Sequence, residues 1–319
     1  MLALASPASL KGVLSPFAAA ESIAAGLRRV DGVEPQKLPV ADGGEGTADV
    51  LHAALGGDWL SANVPDPLGR PVEARWLQLG DGVAIVEAAA AIGLPLVEPP
   101  DRDPLRASSD GLGELIERVL EGGGRALVVC IGGTATVDGG VGMRRVLGER
   151  LRGVPVRAAC DVRNPLLGER GAARVFAAQK GADAAAIDEL ERRLAALPEL
   201  APYRDLRGAG AGGGLGAAFA ALGAELVEGA QLVLDLIGFD GRARDAAFVI
   251  TGEGPVDATT FEGKAPGAVL ARCRALGVPC ELFGGLVAPG LDAHALSGNP
   301  ARVQDDLAGL AERLALARA

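Results

Sequence analysis

The sequence predicts an α/β protein of two α/β domains, one Rossmann-like with a parallel sheet, the other a smaller mixed α/β domain formed by insertions. Three observations carry that prediction. Short apolar runs alternate with alanine-rich stretches of helical character, the pattern of strands feeding crossover helices. The succession strand, glycine loop, helix recurs over 37–55, 126–147 and 246–276, and in open α/β sheets such loops lie at the carboxyl ends of parallel strands, where ligands bind. The 319 residues are 49% hydrophobic and 23% charged, enough for well-packed globular cores.

Taken in order, 2–5 reads as a strand, 16–30 as a helix, 37–40 as a strand and 47–55 as a helix. Residues 59–96 read as strands broken by the turn Pro65-Asp66-Pro67-Leu68-Gly69-Arg70-Pro71, rich in turn-forming residues. A strand over 126–131 precedes a helix over 139–147, and 156–236 mixes a strand, a helix over 184–197 and glycine-rich loops. A strand over 246–250 and a helix over 267–276 follow, and 287–300 reads as a loop before a final helix. These elements place the Rossmann-like domain at 1–58, 97–150 and 240–319, and the inserted domain at 59–96 and 151–239.

A net charge of −10 argues against a basic footprint, so neither nucleic acid nor an anionic membrane is an expected partner. An anionic ligand must then be held locally, by a few cations, glycine-loop amides or a metal. Cys130, Cys160, Cys273 and Cys280 have neither C-x-x-C spacing nor the density of a disulfide scaffold, and read as buried thiols in a reducing cytosol. No leader pattern and no apolar run of roughly 18 residues is visible, which makes a cytoplasmic location the expectation. His52 and His294 lack a second ligand at metal spacing, leaving carboxylates, lysines and backbone amides as working groups. Only four lysines occur among 31 basic residues, and Lys11, Lys180 and Lys264 each adjoin a glycine. In an arginine-rich chain these mark places that need a compact ammonium, as phosphate handling does.

Val40-Ala41-Asp42-Gly43-Gly44-Glu45-Gly46-Thr47 follows a strand and opens a helix, so its amides can converge on an anion at the positive helix end. Asp42 and Glu45 would repel a bare phosphate, which makes a metal-bridged or polyol site the better reading; the pair serving only to cap the helix is the alternative. Ile131-Gly132-Gly133-Thr134-Ala135-Thr136-Val137-Asp138-Gly139-Gly140 offers two glycine pairs, two hydroxyls and a carboxylate, the division of labour that phosphoryl transfer needs. Asp161, Asn164 and Lys180 add a carboxylate, an amide and an ammonium, and Thr251-Gly252-Glu253-Gly254-Pro255-Val256-Asp257 precedes Gly263-Lys264. Gly208-Ala209-Gly210-Ala211-Gly212-Gly213 fits G-x-G-x-x-G but follows no hydrophobic strand, so dinucleotide binding is not expected there. No G-x-x-x-x-G-K-[ST] P-loop occurs.

Together these segments resemble the bacterial type I glycerate kinase family, in a divergent and shortened form. The resemblance rests on Ser9-Leu10-Lys11-Gly12, the 39–47 and 67–72 segments, Ile131 to Met143, Cys160-Asp161-Val162 with Asn164-Pro165-Leu166, Gln179-Lys180-Gly181-Ala182, Gly208 to Gly216, and Ile250 to Gly254 with Asp257 and Gly263-Lys264-Ala265-Pro266. It implies a kinase that moves the γ-phosphate of ATP to a hydroxyl of D-glycerate with Mg²⁺, 2-phosphoglycerate being the favoured product. Lys11 and Lys264 would neutralise phosphoryl or carboxylate oxygens. Gly132, Gly133, Thr134, Thr136, Gly139 and Gly140 would hold the nucleotide, and Asp138 and Asp257 would meet Mg²⁺. Gly43, Gly44, Glu45, Asn164 and Lys180 would bind substrate. Asp161 would orient the acceptor hydroxyl, with Asp42 as its rival. The partners are then small molecules, and a homodimer is compatible with the sequence but not fixed by it. Where the family pattern has an aspartate, an asparagine and an arginine this chain has Ala8, Val137 and Pro255. A non-catalytic ligand-binding protein on the same fold is the alternative class.

Overall fold

A computed structural model describes residues Met1–Ala319 and resolves them into two compact units, 1–42 with 230–319, and 43–229. Strands β1 (Leu2–Ala5) and β2 (Glu34–Lys37) open the chain. Then come β3 (Asp58–Pro65), β4 (Pro71–Gln78), β5 (Val83–Glu87), β6 (Ala126–Cys130), β7 (Val156–Ala159) and β8 (Glu225–Val227). β9 (Phe248–Val256), β10 (Cys280–Val287) and β11 (His294–Ala295) close it.

In the first unit the strands form a wholly parallel five-stranded sheet of order β11-β10-β9-β1-β2. Renumbered within the unit this is 2-1-3-4-5, a doubly wound order whose switch point lies between β1 and β9. Ser15 and Pro16 start the Pro16–Leu27 helix: the serine side chain accepts the Ala18 N–H, and proline occupies a position with no helical N–H to lose. Its buried Ala19, Ala20, Ile23, Ala24 and Leu27 recur at helical spacing. Ala19, Ala20, Ile23 and Leu27 join Phe248, Ile250, Phe283 and the Leu307, Leu310 and Ala311 side of the Val303–Leu316 helix in one core. The Ala265–Leu276 helix packs on β9 and β10. The strand expected over 37–40 is displaced to 34–37, but the Leu38 and Val40 N–H groups still bond to Ala5 and Pro7 carbonyls, carrying the chain along the β1 loop towards Asp42.

The second unit holds a mixed sheet of order β3-β4-β5-β6-β7-β8, antiparallel through β3, β4 and β5 and parallel from β5 to β8. The expected 65–71 turn is present. Buried Asp66 closes it by accepting the Leu68 and Arg70 N–H groups and the Arg70 guanidinium, which together hold its carboxyl low against the burial that would raise it. Leu112, Leu115, Ile116 and Val119 form the buried stripe of the Asp110–Glu121 helix and pack with Met143, Leu215 and Phe219.

The domain boundaries differ from those read off the sequence. Segments 43–58 and 97–150 belong with 59–96 and 151–229, because β6 hydrogen-bonds to β5 on one side and β7 on the other. The mixed α/β unit is therefore one contiguous stretch and the longer of the two, since apolar periodicity identifies a strand without identifying its neighbour. No helix of the protein is long and apolar enough to cross a membrane.

Gly26 shows where helix packing excludes a side chain, because a β-carbon there would lie 2.0 Å from the Ala308 carbonyl oxygen. Alanine at a helical glycine gains roughly 1 kcal/mol of propensity. Displacing the facing backbone costs more than that, so Gly26→Ala is expected to lower stability by about 1–3 kcal/mol in urea unfolding. An unchanged or higher midpoint would contradict this packing.

Candidate active site

At the switch point of the parallel sheet, β1 and β9 remain joined beyond their regular pairing. Ser6 and Ala8 donate to the Ile250 and Gly252 carbonyls, and the Thr251 hydroxyl donates to Ser6 O at 2.7 Å. The chain then turns through Leu10-Lys11-Gly12-Val13, closed by bonds between Leu10 and Leu14, and this leaves Lys11 exposed at the turn. Gly12 adopts φ +75°, a left-handed conformation that glycine allows without strain.

Glu253, near the carboxyl end of β9, is only 9% exposed and sits in a polar chain. Its Oε1 accepts the buried Thr260 hydroxyl at 2.8 Å and lies 3.5 Å from Lys264 Nζ. The Thr260 oxygen in turn accepts the Asp257 N–H. Burial pushes the Glu253 carboxyl up, Thr260 and Lys264 draw it down, and nearby Asp42 repels it. Asp257 caps the following turn with Oδ1, which accepts both the N–H and the hydroxyl of Thr259, and these bonds hold its carboxyl below the usual range. Lys264, Asp257 and Asp42 thus belong to one unit. The members of the chain that join them, Glu253 and Thr260, were missed as site residues. The signal was available in Gly252-Glu253-Gly254, since a carboxylate between glycines at a strand end is poorly explained by packing.

The 43–47 segment is organised differently from the expected anion cradle. Gly43 is buried: a β-carbon there would lie 2.8 Å from Gly229 Cα, and its N–H donates to Thr47 Oγ1. The Thr47–Leu55 helix begins after left-handed Gly46 with no side-chain cap at that residue. Its positive end is met by Glu87, at the end of β5, which accepts the Ala48 N–H at 2.8 Å. Burial raises the Glu87 carboxyl, the Ala48 N–H opposes this, and Asp49 and Glu45 push it further up. Gly44 and Glu45 reach the surface. Gly44 abuts Gly132, where a β-carbon would stand 3.4 Å from Gly44 Cα, so the two glycine motifs form one crest at the carboxyl edge of the mixed sheet.

Within the 131–140 loop only Gly133 is exposed, with Gly132 and Asp138 half-buried. Thr134 and Thr136 are buried, so neither presents its hydroxyl at the surface to a phosphate. Gly139 and Gly140 are packing positions: β-carbons there would come 2.7 Å from a Leu197 methyl and 2.5 Å from Ala218 Cβ. The G-x-G-x-x-G segment packs on the same loop, a β-carbon at Gly213 falling 2.0 Å from Thr136 O. Its glycines admit backbone against backbone, not a dinucleotide.

Asp138 also departs from its expected metal role. Its Oδ2 accepts the Ser109 N–H and hydroxyl at 3.0 and 2.7 Å and the Gly142 N–H at 3.2 Å, and Oδ1 accepts the Gly140 N–H. Four donors of the chain itself occupy this carboxylate. Lys180 is likewise not a surface ligand group: it is 4% exposed and donates to Thr136 O at 2.8 Å and Thr134 Oγ1 at 3.3 Å. Burial lowers its pKa to about 7, although the Asp138 charge opposes the shift. Asn164 spends its amide on the Arg170 carbonyl, and Asp161 lies half-buried beyond β7. Burial, with the Asp161 charge, raises the Cys160 thiol to about 11, so it stays protonated. No group of three or more His, Cys, Asp or Glu side chains is arranged to hold a metal ion.

The Lys180 burial has a measurable consequence. Its folded pKa of about 7 lies below the ordinary 10.5, so between these values the unfolded chain binds the extra proton and folding stability rises with pH. The stabilising term is complete above the ordinary value and is lost as pH falls through 7. Lysine-selective ¹⁵N NMR is expected to show one of four ammonium groups titrating near neutrality and absent from Lys180→Met, whose stability also gains less from rising pH. Four lysines all titrating near their ordinary value would contradict this burial.

Comparison with known proteins identifies the family. The sequence pattern of the glycerate kinase family matches residues 3–153 and 147–304. The chain is 40% identical over 318 residues to a glycerate kinase of Bacillus subtilis (strain 168), covering 88% of this chain and 83% of that one. It is 40% identical over 299 residues to glycerate 2-kinase of Escherichia coli (strain K12), covering 82% and 78%. A crystal structure from Salmonella typhimurium LT2, provisionally named glycerate kinase 2, superposes with a TM-score of 0.88 at 34% identity over 100% of this chain and 98% of that one. Motifs, fold and relatives therefore converge, and the chain belongs to the glycerate kinase family, a family of kinases.

Proposed function

We propose that the protein phosphorylates D-glycerate with ATP and Mg²⁺ and releases 2-phosphoglycerate. The observation that carries this reading is the Lys264, Glu253, Thr260 and Asp257 chain at the switch point of the parallel sheet, where this fold class binds its ligands. It presents an ammonium, already oriented, beside a carboxyl group. Lys264 and Lys11 neutralise phosphoryl oxygens as charge spreads over them in the transition state. The Gly44 and Gly132-Gly133 crest accepts an anion by close backbone approach, the nucleotide phosphates being the ligand assigned to 132–133 and the glycerate hydroxyls to Gly44 and Glu45.

Magnesium fits this arrangement through Asp257, a half-buried carboxylate just past the end of β9 whose Oδ1 takes both Thr259 donors. A phosphate-borne Mg²⁺ keeps most of its waters and requires only one or two carboxylates, and it supplies charge neutralisation at the transferred group. Asp161 takes the acceptor proton, and Asp42, in the unit of Lys264, is its alternative. The name of the Escherichia coli relative supports the 2-position. Free thiols at all four cysteines are in keeping with a cytoplasmic site of action.

³¹P NMR of the purified protein with Mg²⁺, ATP and D-glycerate is expected to show a 2-phosphoglycerate resonance that a control without glycerate lacks. Lys264→Met is expected to lower kcat/KM roughly 10²-fold, the scale of one lost transition-state donor. A 3-phosphoglycerate resonance would reassign the position, and ATP consumption indifferent to D-glycerate would refute the substrate.

A further inference from the structure

Lys180 is a buried amine for which the proposed chemistry has no use. It lies on a tight turn, Ala178–Lys180, closed by Gly181 at φ +99°. Two contacts fix that turn from behind: a β-carbon on Gly181 would fall 2.6 Å from the Arg102 carbonyl oxygen, and the Arg102 guanidinium donates to Gln179 O. With its backbone so held, the side chain runs inward and ends on Thr134 Oγ1 and Thr136 O, groups 46 and 44 residues away in sequence. Both belong to the loop whose Gly132 and Gly133 reach the surface. From the other side the same loop is held by Leu94 N–H on Gly133 O and by Ala135 N–H on Ile92 O.

Burying an ammonium carries a desolvation penalty, and a methionine of similar length would fill the space without it. The burial is reflected in the lowered pKa of the amine. A core position that keeps lysine therefore needs its donors. The carbonyl of Thr136 and the hydroxyl of Thr134 flank Ala135 and follow directly on Gly133, so a donor bridging them fixes the backbone from which the glycine turn projects.

We infer that Lys180 is a positioning residue, whose buried side chain holds the Gly132-Gly133 turn in the conformation that receives nucleotide phosphates. This rests on the reading that the 132–133 turn takes the nucleotide rather than glycerate. Lys180 touches no ligand in this account. It acts through Thr134 and Thr136, and its loss affects the two substrates unequally.

Isothermal titration of Mg·ATP into the wild-type chain, Lys180→Met and Thr134→Val tests this, with the KM for D-glycerate measured alongside. Lys180→Met is expected to weaken Mg·ATP about tenfold, the equivalent of one buried hydrogen-bonding group left without its donor, with the KM for D-glycerate unchanged. Thr134→Val keeps the ammonium and removes one acceptor, so it is expected to weaken Mg·ATP by less; it decides the matter if Lys180→Met does not fold. Unaltered Mg·ATP affinity in the folded variants, or equal weakening of both substrates, would overturn the positioning role. Absence of Mg·ATP binding by the wild-type chain would overturn the nucleotide-loop reading itself, and selective weakening of D-glycerate would assign the turn to the other substrate.

Discussion

The Asp138 carboxylate is the hub on which the 131–140 loop of the 43–229 unit depends. It ties the end of that loop to Ser109, ahead of the Asp110–Glu121 helix, and to Gly140 and Gly142 at the start of the next helix. Ser109 passes the constraint on, its hydroxyl accepting the Met143 N–H. A charged acceptor satisfied by four donors is worth far more than one bonded to water, because each partner left behind would be a buried unsatisfied group. The glycines at 139, 140 and 213 follow from this hub: once the loop is drawn in, only residues without a β-carbon fit between it and its neighbours.

The parallel-sheet unit solves a related problem in another way. Glu253 lies almost buried at a strand end, and an isolated carboxylate there would be driven to its neutral form. Thr260 and Lys264 offset that tendency, while Asp42 works against them. The result is a lysine held in place by a hydrogen-bonded partner instead of waving in solvent. Preorganisation of this kind matters in a kinase, where most of catalysis is positioning and charge stabilisation. Across the two units the polar side chains divide into those that support loops, such as Asp138, Lys180, Asn164 and Glu87, and those that face outward, such as Lys11 and Asp257.

Much of the architecture was legible in the sequence. The strand at 2–5, the helix at 47–55 and the 65–71 turn carry local signals, apolar runs and turn residues, that tertiary context did not override. Domain membership was less legible, because whether β6 pairs with β5 or with a strand of the other sheet depends on contacts far apart in sequence. The motif segments were located by residue type, but their roles were not. A sequence does not state that Lys180 points inward or that the anion at the 47–55 helix start is the chain's own Glu87, 39 residues beyond Ala48. Asp138 and Asp257 are the same residue type beside similar loops, and only their hydrogen-bond partners separate them.

By its partners Asp138 serves the loop, and Asp257 is the carboxylate proposed to meet Mg²⁺. The most direct test is the Mg²⁺ concentration dependence of glycerate phosphorylation in Asp138→Asn and Asp257→Asn, with thermal stability measured on the same samples. Asp257→Asn is expected to raise the Mg²⁺ requirement at unchanged stability, whereas Asp138→Asn is expected to lose stability and retain the wild-type Mg²⁺ dependence in whatever activity remains. A raised Mg²⁺ requirement in Asp138→Asn at full stability, with Asp257→Asn unaffected, would contradict it.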